Sequence, residues 1–256
     1  MSEQSHKQQV VELLKGLETG QAPTLGYIHP EKYRQHNLAA SNGLKGLEEF
    51  LAQVPPNTVK VNTVRVFQDG DHIFAHSEYD FFGPKAGFDI FRLEDGKIVE
   101  HWDNLQEIPA APNVTGHTMT DGPTEPGDLD RTEQNKELVR QFVDEILVNG
   151  KLDKLASYFD GDNYIQHNPQ IADGVSGLGQ AIQFMAEHGI TMKYDRIHKV
   201  LGEGNFVLVV SEGMYNEQPT AFYDLFRVEN DKIAEHWDTL ETIPPETEWQ
   251  NQNGKF

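Results

Sequence analysis

The stretch Asp89–Pro109 reads DIFRLEDGKIVEHWDNLQEIP, and Asp224–Pro244 reads DLFRVENDKIAEHWDTLETIP. At this offset of 135, 13 of the 21 positions are identical. Upstream, Tyr33-Arg34-Gln35-His36-Asn37 recurs as Tyr164-Ile165-Gln166-His167-Asn168 at an offset of 131. Two matches in the same order, with a small drift between them, imply a duplicated domain. The period is too long for a solenoid repeat, whose units run to roughly 50 residues. The recurring residues include His, Asp and Trp as well as apolar ones, so the repeat carries candidate chemistry as well as a core.

Each half opens with a helix. Val10, Leu13, Leu14 and Leu17 form one apolar face, and Leu138, Val139, Phe142, Val143 and Ile146 form its counterpart. Asp130-Arg131-Thr132-Glu133 fits a capping box before the second. A second helix follows in each half, with apolar positions Leu44, Leu47, Leu51 and Val54, repeated as Val175, Leu178, Ile182 and Met185; Pro55-Pro56 is expected to stop the first copy. Strands come next: Val59–Phe67, His72–Phe81 and Phe88–Asp103, then Arg196–Leu201, Phe206–Tyr215 and Ala221–Asp238. Helices first and strands afterwards predict an α+β fold, helices packed on one face of an antiparallel sheet. The expected division is 1–112 for the first copy, 113–130 for a linker rich in Pro, Gly, Thr and Asp, and 131–256 for the second copy.

The 256 residues suit two domains of ordinary size. With 21 basic and 41 acidic side chains the net charge is −20, which argues against nucleic acid or an anionic membrane as partner. There is no cysteine, so disulfides, thiolate metal sites and cysteine nucleophiles are excluded. No apolar run approaches the roughly 18 residues of a membrane span, and the first residues do not read as a signal peptide. The expected setting is cytoplasmic.

The hairpin register decides which side chains share a face. A two-residue loop at Asp95-Gly96 needs positive φ twice, which its counterpart Asn230-Asp231 bears poorly. A three-residue loop, Glu94–Gly96 or Glu229–Asp231, needs only one left-handed residue, and this is the expected form. It sets Asp89 opposite His101, with Phe91, Val99 and Asp103 on the same face and Ile90, Arg92, Ile98, Glu100 and Trp102 on the other. The second copy repeats this with Asp224, His236, Phe226, Ala234 and Asp238 against Leu225, Arg227, Ile233, Glu235 and Trp237. One face thus shows two carboxylates and an imidazole among apolar residues. Lining a cleft, such an Asp acquires a raised pKa and can act as general acid or base. The alternative is an Asp–His hydrogen-bonded staple in the sheet.

These motifs resemble the SnoaL-like proteins of the nuclear transport factor 2-like superfamily, over most of both halves. The resemblance implies a cone: a bent sheet wrapped around helices, with a deep apolar pocket. It implies Asp89, His101 and His36 as acid–base residues in the first copy, and Asp224, His236 and His167 in the second. Tyr33, His76, Phe91, Asp103, Tyr164, Phe226 and Asp238 would contact the ligand. His76 has Val210 as its counterpart, so the two sites are expected to differ. The resemblance further implies that Trp102 and Trp237 pack between the two sheets, making an intrachain pseudo-dimer. The implied activity is proton abstraction next to a carbonyl (aldol-type cyclisation, isomerisation or dehydration) on a small apolar compound; the alternative is a non-catalytic binding protein for a small apolar metabolite. No metal or other cofactor is expected, since no tight ligand spacing such as His-Glu-x-x-His occurs. No Ser nucleophile completes a triad with the His–Asp pairs.

Overall fold

The computed structural model describes residues 5–18, 22–53 and 58–256. Val54 and Pro55-Pro56 lie outside them. The chain divides into two compact units, Met1–Glu107 with Pro244–Phe256, and Ile108–Ile243. The tract read as linker therefore belongs to the second unit, and the last thirteen residues belong to the first.

In the first unit α1 (His6–Gly16) and α2 (Gly43–Gln53) precede a five-stranded sheet. Its strands are β1 (Arg34–Gln35), β2 (Lys60–Asp69), β3 (His72–Asp80), β4 (Pro84–Glu94) and β5 (Lys97–Glu107), in the order β1-β5-β4-β3-β2. In the second, α3 (Thr132–Phe142), extended by a π-helical turn Val143–Val148, and α4 (Gly174–Glu187) accompany β6 (Ile165–Gln166), β7 (Met192–Glu203), β8 (Phe206–Tyr215), β9 (Gln218–Glu229) and β10 (Lys232–Thr242). The order β6-β10-β9-β8-β7 repeats the first topology. This is the expected α+β architecture, with one amendment. The sheets are mixed, because the short β1 and β6 run parallel to β5 and β10.

The amphipathic spacing is used as expected in the first helices. Val10, Leu13 and Leu14 join Ile73, Phe91 and Ile98 in the first core, while Val139, Phe142, Val143 and Ile146 join Val209, Phe226 and Ile233 in the second. α4 keeps only its first turns on the core: Val175 and Leu178 pack there, but Ile182 and Phe184 are exposed. Asp130 does not cap α3. A 3₁₀ turn at Leu129–Arg131 leads into the helix instead, and Thr132 Oγ1 takes the Gly204 N–H at 2.8 Å.

The hairpin register differs from the expected one. Glu94 pairs with Lys97 and Glu229 with Lys232, so both loops have two residues. Asp95 and Gly96 sit at φ 51° and 73°, Asn230 and Asp231 at 51° and 60°. Asn and Asp tolerate the left-handed region better than other non-glycine residues, and that tolerance carries the second turn. A register shift then falls between Arg92 and Leu93, and between Ile233 and Glu235. Asp89 consequently faces Asp103, and Phe91 faces His101. The register moves by two residues, so Asp89, Phe91, His101 and Asp103 still share a face. The bulge flips parity only next to the loop. Ile98 and Ile233 therefore join the helix-side cores, where Val99 and Ala234 had been expected.

Candidate functional site

The parallel β1–β5 pairing sets Gln35 beside His101, and alternation does the rest. Tyr33, Gln35 and Asn37 fall on the helix-facing side of the sheet; His36 falls on the other. In the first unit Tyr33, Gln35, Asn37, Tyr79, Asp89, Phe91, His101 and Asp103 line a cavity of about 130 Å³. The remaining wall is mostly aliphatic or aromatic, from Leu13, Leu14, Leu47, Phe50, Phe81 and their neighbours.

The polar groups form one network. Gln35 Oε1 accepts from the Asn37 backbone at 2.9 Å, and Gln35 Nε2 donates to Tyr33 Oη at 3.1 Å, which fixes the amide orientation. His101 Nδ1, 3.0 Å from Gln35 Oε1, must then carry a proton. His101 Nε2 lies 2.9 Å from Asp89 Oδ1, so one proton is shared across that gap, as imidazolium–carboxylate or imidazole–carboxylic acid. Tyr79 Oη donates to Asp89 Oδ2 at 2.7 Å. Burial pushes the Asp89 pKa up, and the bonds from His101 and Tyr79 only partly offset it. Burial also raises Tyr33 and Tyr79, which stay phenols.

Both oxygens of Asp89 are thus engaged. Asp103 is different. Its Oδ2 accepts from Asn37 Nδ2 at 2.6 Å, while its buried Oδ1 has no hydrogen-bond partner. A buried acceptor without a donor is costly and calls for explanation. Tyr33 Oη complements it: the oxygen accepts from Gln35 and keeps its own proton to donate.

The second unit repeats this network. Gln166 links Tyr164, Asn168 and His236 at 3.2, 2.9 and 3.0 Å, and His236 Nε2 lies 3.0 Å from Asp224 Oδ1. Asn168 Nδ2 donates to Asp238 Oδ2 at 2.7 Å, and Asp238 Oδ1 is again buried without a partner. Burial raises Asp238. Burial works against a charged His236, but the bond to Asp224 and the charges of Asp238 and Asp224 outweigh it and raise the imidazole. Phe226 stacks on His236 with ring centroids 4.7 Å apart.

The phenol that meets the Asp comes from different strands in the two units. In the first, Tyr79 of β3 pairs with Val61 of β2. In the second, Tyr194 of β7 pairs with Gly213 of β8 and reaches Asp224 at 3.2 Å. Gly87 makes room for the Tyr79 ring, since a Cβ there would lie 2.4 Å from its Cε2. Its counterpart Phe222 stacks on Tyr194 at 4.2 Å. The space above the buried carboxylate is thus shaped by a different aromatic set in each unit, Tyr79 in the first and Tyr194 with Phe222 in the second.

Three of the expected site residues lie elsewhere. His36 sits on the opposite sheet face, between Glu100 Oε1 at 3.0 Å and Gly254 O at 2.9 Å, stacked on Trp102. His167 does likewise with Glu235 at 2.8 Å and Thr118 O at 2.9 Å, stacked on Trp237. Each follows a pocket-facing Gln, so strand alternation turns it away. His76 pairs across the sheet with Phe88, next to Asp89, and meets Arg65 Nη1 at 2.6 Å on that same opposite face. Trp237 donates to Asp121 O at 2.9 Å. The sequence reading passed over Gln35, Asn37, Tyr79 and Tyr194. For Gln and Asn the signal was present, since both recur in the repeated Tyr-x-Gln-His-Asn.

Asp89, His101 and Asp103 offer donor atoms within 4.8 Å of one another. Both His101 nitrogens are already committed within the protein, so the cluster reads as a proton site. Among the described residues no helix is long and apolar enough to cross a membrane.

The profile of the SnoaL-like domain matches residues 10–101 and again 139–236. Among solved structures, TsrD from Streptomyces laurentii is 22% identical, covering 41% of this chain and 92% of its own, with a TM-score of 0.35. An LEH-like epoxide hydrolase from M. tuberculosis is 19% identical over 43% of this chain and 85% of its own (TM-score 0.33). An NTF-2 like protein of unknown function from Burkholderia xenovorans LB400 is 18% identical over 50% and 100% (TM-score 0.38). No curated protein matches the chain.

Proposed function

Since the chain belongs to the SnoaL-like domain family, with two copies in tandem, we propose that the first copy abstracts a proton next to a carbonyl in a small, mostly apolar compound. The observation that carries this reading is the pairing of a buried acceptor without a hydrogen-bond donor, Asp103 Oδ1, with the Tyr33 hydroxyl, whose proton is left to donate, in one apolar cavity. Asp103 Oδ1 takes the proton from carbon. Tyr33 donates a hydrogen bond to the oxygen on which the enolate charge develops. The base is thus placed on Asp103 rather than on Asp89, whose oxygens are held by His101 and Tyr79. The Asp89–His101 pair keeps one proton beside Asp103, a reserve from which the enolate can be quenched. Isomerisation, aldol-type ring closure and dehydration all begin with this step. A positioned base of this kind contributes about 10²–10⁴-fold to rate.

The cavity limits the substrate. About 130 Å³ is close to the ~150 Å³ cavity that holds benzene. A single ring matches this volume. For the second copy, Phe222 in place of Gly87 supports the alternative role of a scaffold or a tight binder of a still smaller apolar compound.

A fluorinated phenol tests the reading, because its oxygen mimics the enolate and its ring matches the cavity. By ¹⁹F NMR it should bind, bind more weakly to Tyr33→Phe, and retain binding in Asp103→Asn. Failure to bind, or binding untouched by filling the cavity with Leu47→Trp, would count against the site.

A further inference from the structure

In the second unit the segment 113–121 docks on the end of β6 and the loop after it. Asn113 Nδ2 donates to Gln166 O at 2.7 Å and Ile171 O at 3.1 Å. The first unit uses the same device, where Asn251 Nδ2 donates to Asn37 O at 2.8 Å and Ala40 O at 2.9 Å. Asn113-Val114-Thr115-Gly116-His117 thus aligns with Asn251-Gln252-Asn253-Gly254-Lys255. The fifth position differs, with a lysine in the first unit where the second has His117. The docked segment thereby sets His117 beside His167, with ring centroids 5.1 Å apart.

The two imidazoles have matching surroundings. His167 Nε2 lies 2.8 Å from Glu235 Oε1, and its Nδ1 lies 2.8 Å from Asp121 Oδ1 and 2.9 Å from Thr118 O. His117 Nε2 lies 3.3 Å from Asp173 Oδ2, and its Nδ1 lies 3.3 Å from Asp121 Oδ2. Each ring therefore has a carboxylate behind Nε2, and both Nδ1 atoms converge on Asp121. Thr118 N–H and Oγ1–H already donate to Asp121 Oδ1 at 2.9 and 3.2 Å, which favours the carboxylate. With the three carboxyl groups ionised, protons satisfy all four ring contacts only if both rings are imidazolium. That sets two like charges side by side, one of them on the buried His167. A divalent cation between the Nδ1 atoms supplies the same two charges at one point and leaves both rings neutral, each Nε2–H held by its carboxylate. Carboxylates orient histidine ligands on metals in this way. The Asp89–His101 pair differs, since one shared proton suffices there.

We propose that His117, His167 and Asp121 form a zinc-type divalent metal site that ties the 113–121 segment to the second unit. Two imidazoles and one carboxylate suit zinc and its transition-metal neighbours rather than magnesium or calcium, which prefer oxygen. Ligand atoms on a tetrahedral zinc stand roughly 3.3 Å apart, as bond lengths of about 2.0–2.1 Å require. The donor atoms of the three residues all lie within 4.8 Å of one another, so small side-chain shifts close the site. His117 is half-buried and Asp121 exposed, which leaves a fourth position open to water. Asp121 also presents its backbone carbonyl to Trp237 Nε1 at 2.9 Å, so fixing its side chain fixes the chain beside that ring. In the first unit His36 keeps its carboxylate, Glu100, at 3.0 Å, but the residue aligned with His117 is Lys255, a cation and not a ligand. The ligands come from two separate segments, which is why no tight spacing announces them in the sequence.

The test is titration of chelator-treated full-length protein with Zn²⁺ alone, followed by calorimetry, and with Co²⁺ as a spectroscopic stand-in. One equivalent of Zn²⁺ should bind and raise the melting temperature of the second unit's transition only. Co²⁺ should give visible absorption bands that Zn²⁺ displaces. Asp173→Asn keeps the oxygen that accepts the Gln166 N–H at 2.9 Å, so the fold should hold while Zn²⁺ affinity falls about 10–100-fold. His117→Ala should weaken binding at least as much, and His29→Ala, in the first unit, should leave it unchanged. Absence of binding to the wild type would overturn the proposal, a result that needs no variant to fold. So would binding that His117→Ala leaves intact, which would mark adventitious surface histidines. Imidazole ¹H–¹⁵N spectra that show both rings doubly protonated at saturating Zn²⁺ would also reject the site, in favour of a pair of imidazolium rings. None of these readouts depends on turnover in the first unit.

Discussion

Gly87→Ala puts the open cavity to a steric test. The added Cβ would lie 2.4 and 2.7 Å from Tyr79 Cε2 and Cδ2, and 2.8 Å from Leu105 Cδ2. Leu105 can turn away. Tyr79 cannot move its ring without giving up the 2.7 Å bond to buried Asp89. Overpacking costs about 1–3 kcal/mol. Losing a hydrogen bond to a charged group costs about 1.5–3 kcal/mol. The chain takes the cheaper relaxation, so the expected loss is about 2 kcal/mol. For a unit of this size that lowers its melting temperature by roughly 5–12 °C. Calorimetry is the assay, because two units are expected to melt as two transitions and only the first should move. Tyr79→Gly copies the residue at 213 and removes the obstructing ring. In that background Gly87→Ala should cost little, leaving a coupling of about 1–3 kcal/mol in the double-mutant cycle. A Gly87→Ala protein as stable as wild type, or one whose loss is the same with and without the Tyr79 ring, would refute the packing argument.

Other expectations concern pH and docking. Burial raises Asp89 above its usual 3.8, so its contribution to stability is complete below that value and lost as pH rises through the folded pKa. Asp89→Asn should flatten that part of the first unit's stability–pH curve. Glu100 has the opposite sign: burial favours protonation, but bonds from His36 and Arg92 overcome it and lower the pKa below the usual 4.5. Its contribution is present above that value and lost as pH falls through the folded pKa, so Glu100→Gln should weaken the acid dependence of melting. Asn113→Ala should cost the second unit about 1–3 kcal/mol and expose residues 108–121 to limited proteolysis, since buried carbonyls at Gln166 and Ile171 lose their donor.

The repeated hairpin made the fold legible because duplication preserves both motif and apolar spacing. The shared face of Asp89, Phe91, His101 and Asp103 was legible too, though for a partly wrong reason. A two-residue loop plus a bulge replaced the three-residue loop, and a shift of two residues leaves facing parity intact. The misplaced residues were those whose parity the sequence could not supply. His36 was read without knowing that Gln35 pairs in parallel with His101 and takes the pocket side. Ile98 changed faces at a bulge that no turn residue announces. The migrating phenol, Tyr79 in one copy and Tyr194 in the other, is legible only once Val61 and Gly213 are known to be their cross-strand neighbours.

The most direct test of the central claim is α-proton exchange. A six-membered cyclic ketone in D₂O with the full-length protein is followed by ¹H NMR. Wild-type protein should exchange deuterium into the position next to the carbonyl. Asp103→Asn should slow this by about 10²-fold or more. Asp224→Asn and Asp238→Asn, in the second site, should leave the rate unchanged. Exchange that is absent in wild type despite bound ketone, or that survives intact in Asp103→Asn, would contradict the assignment of Asp103 as the base.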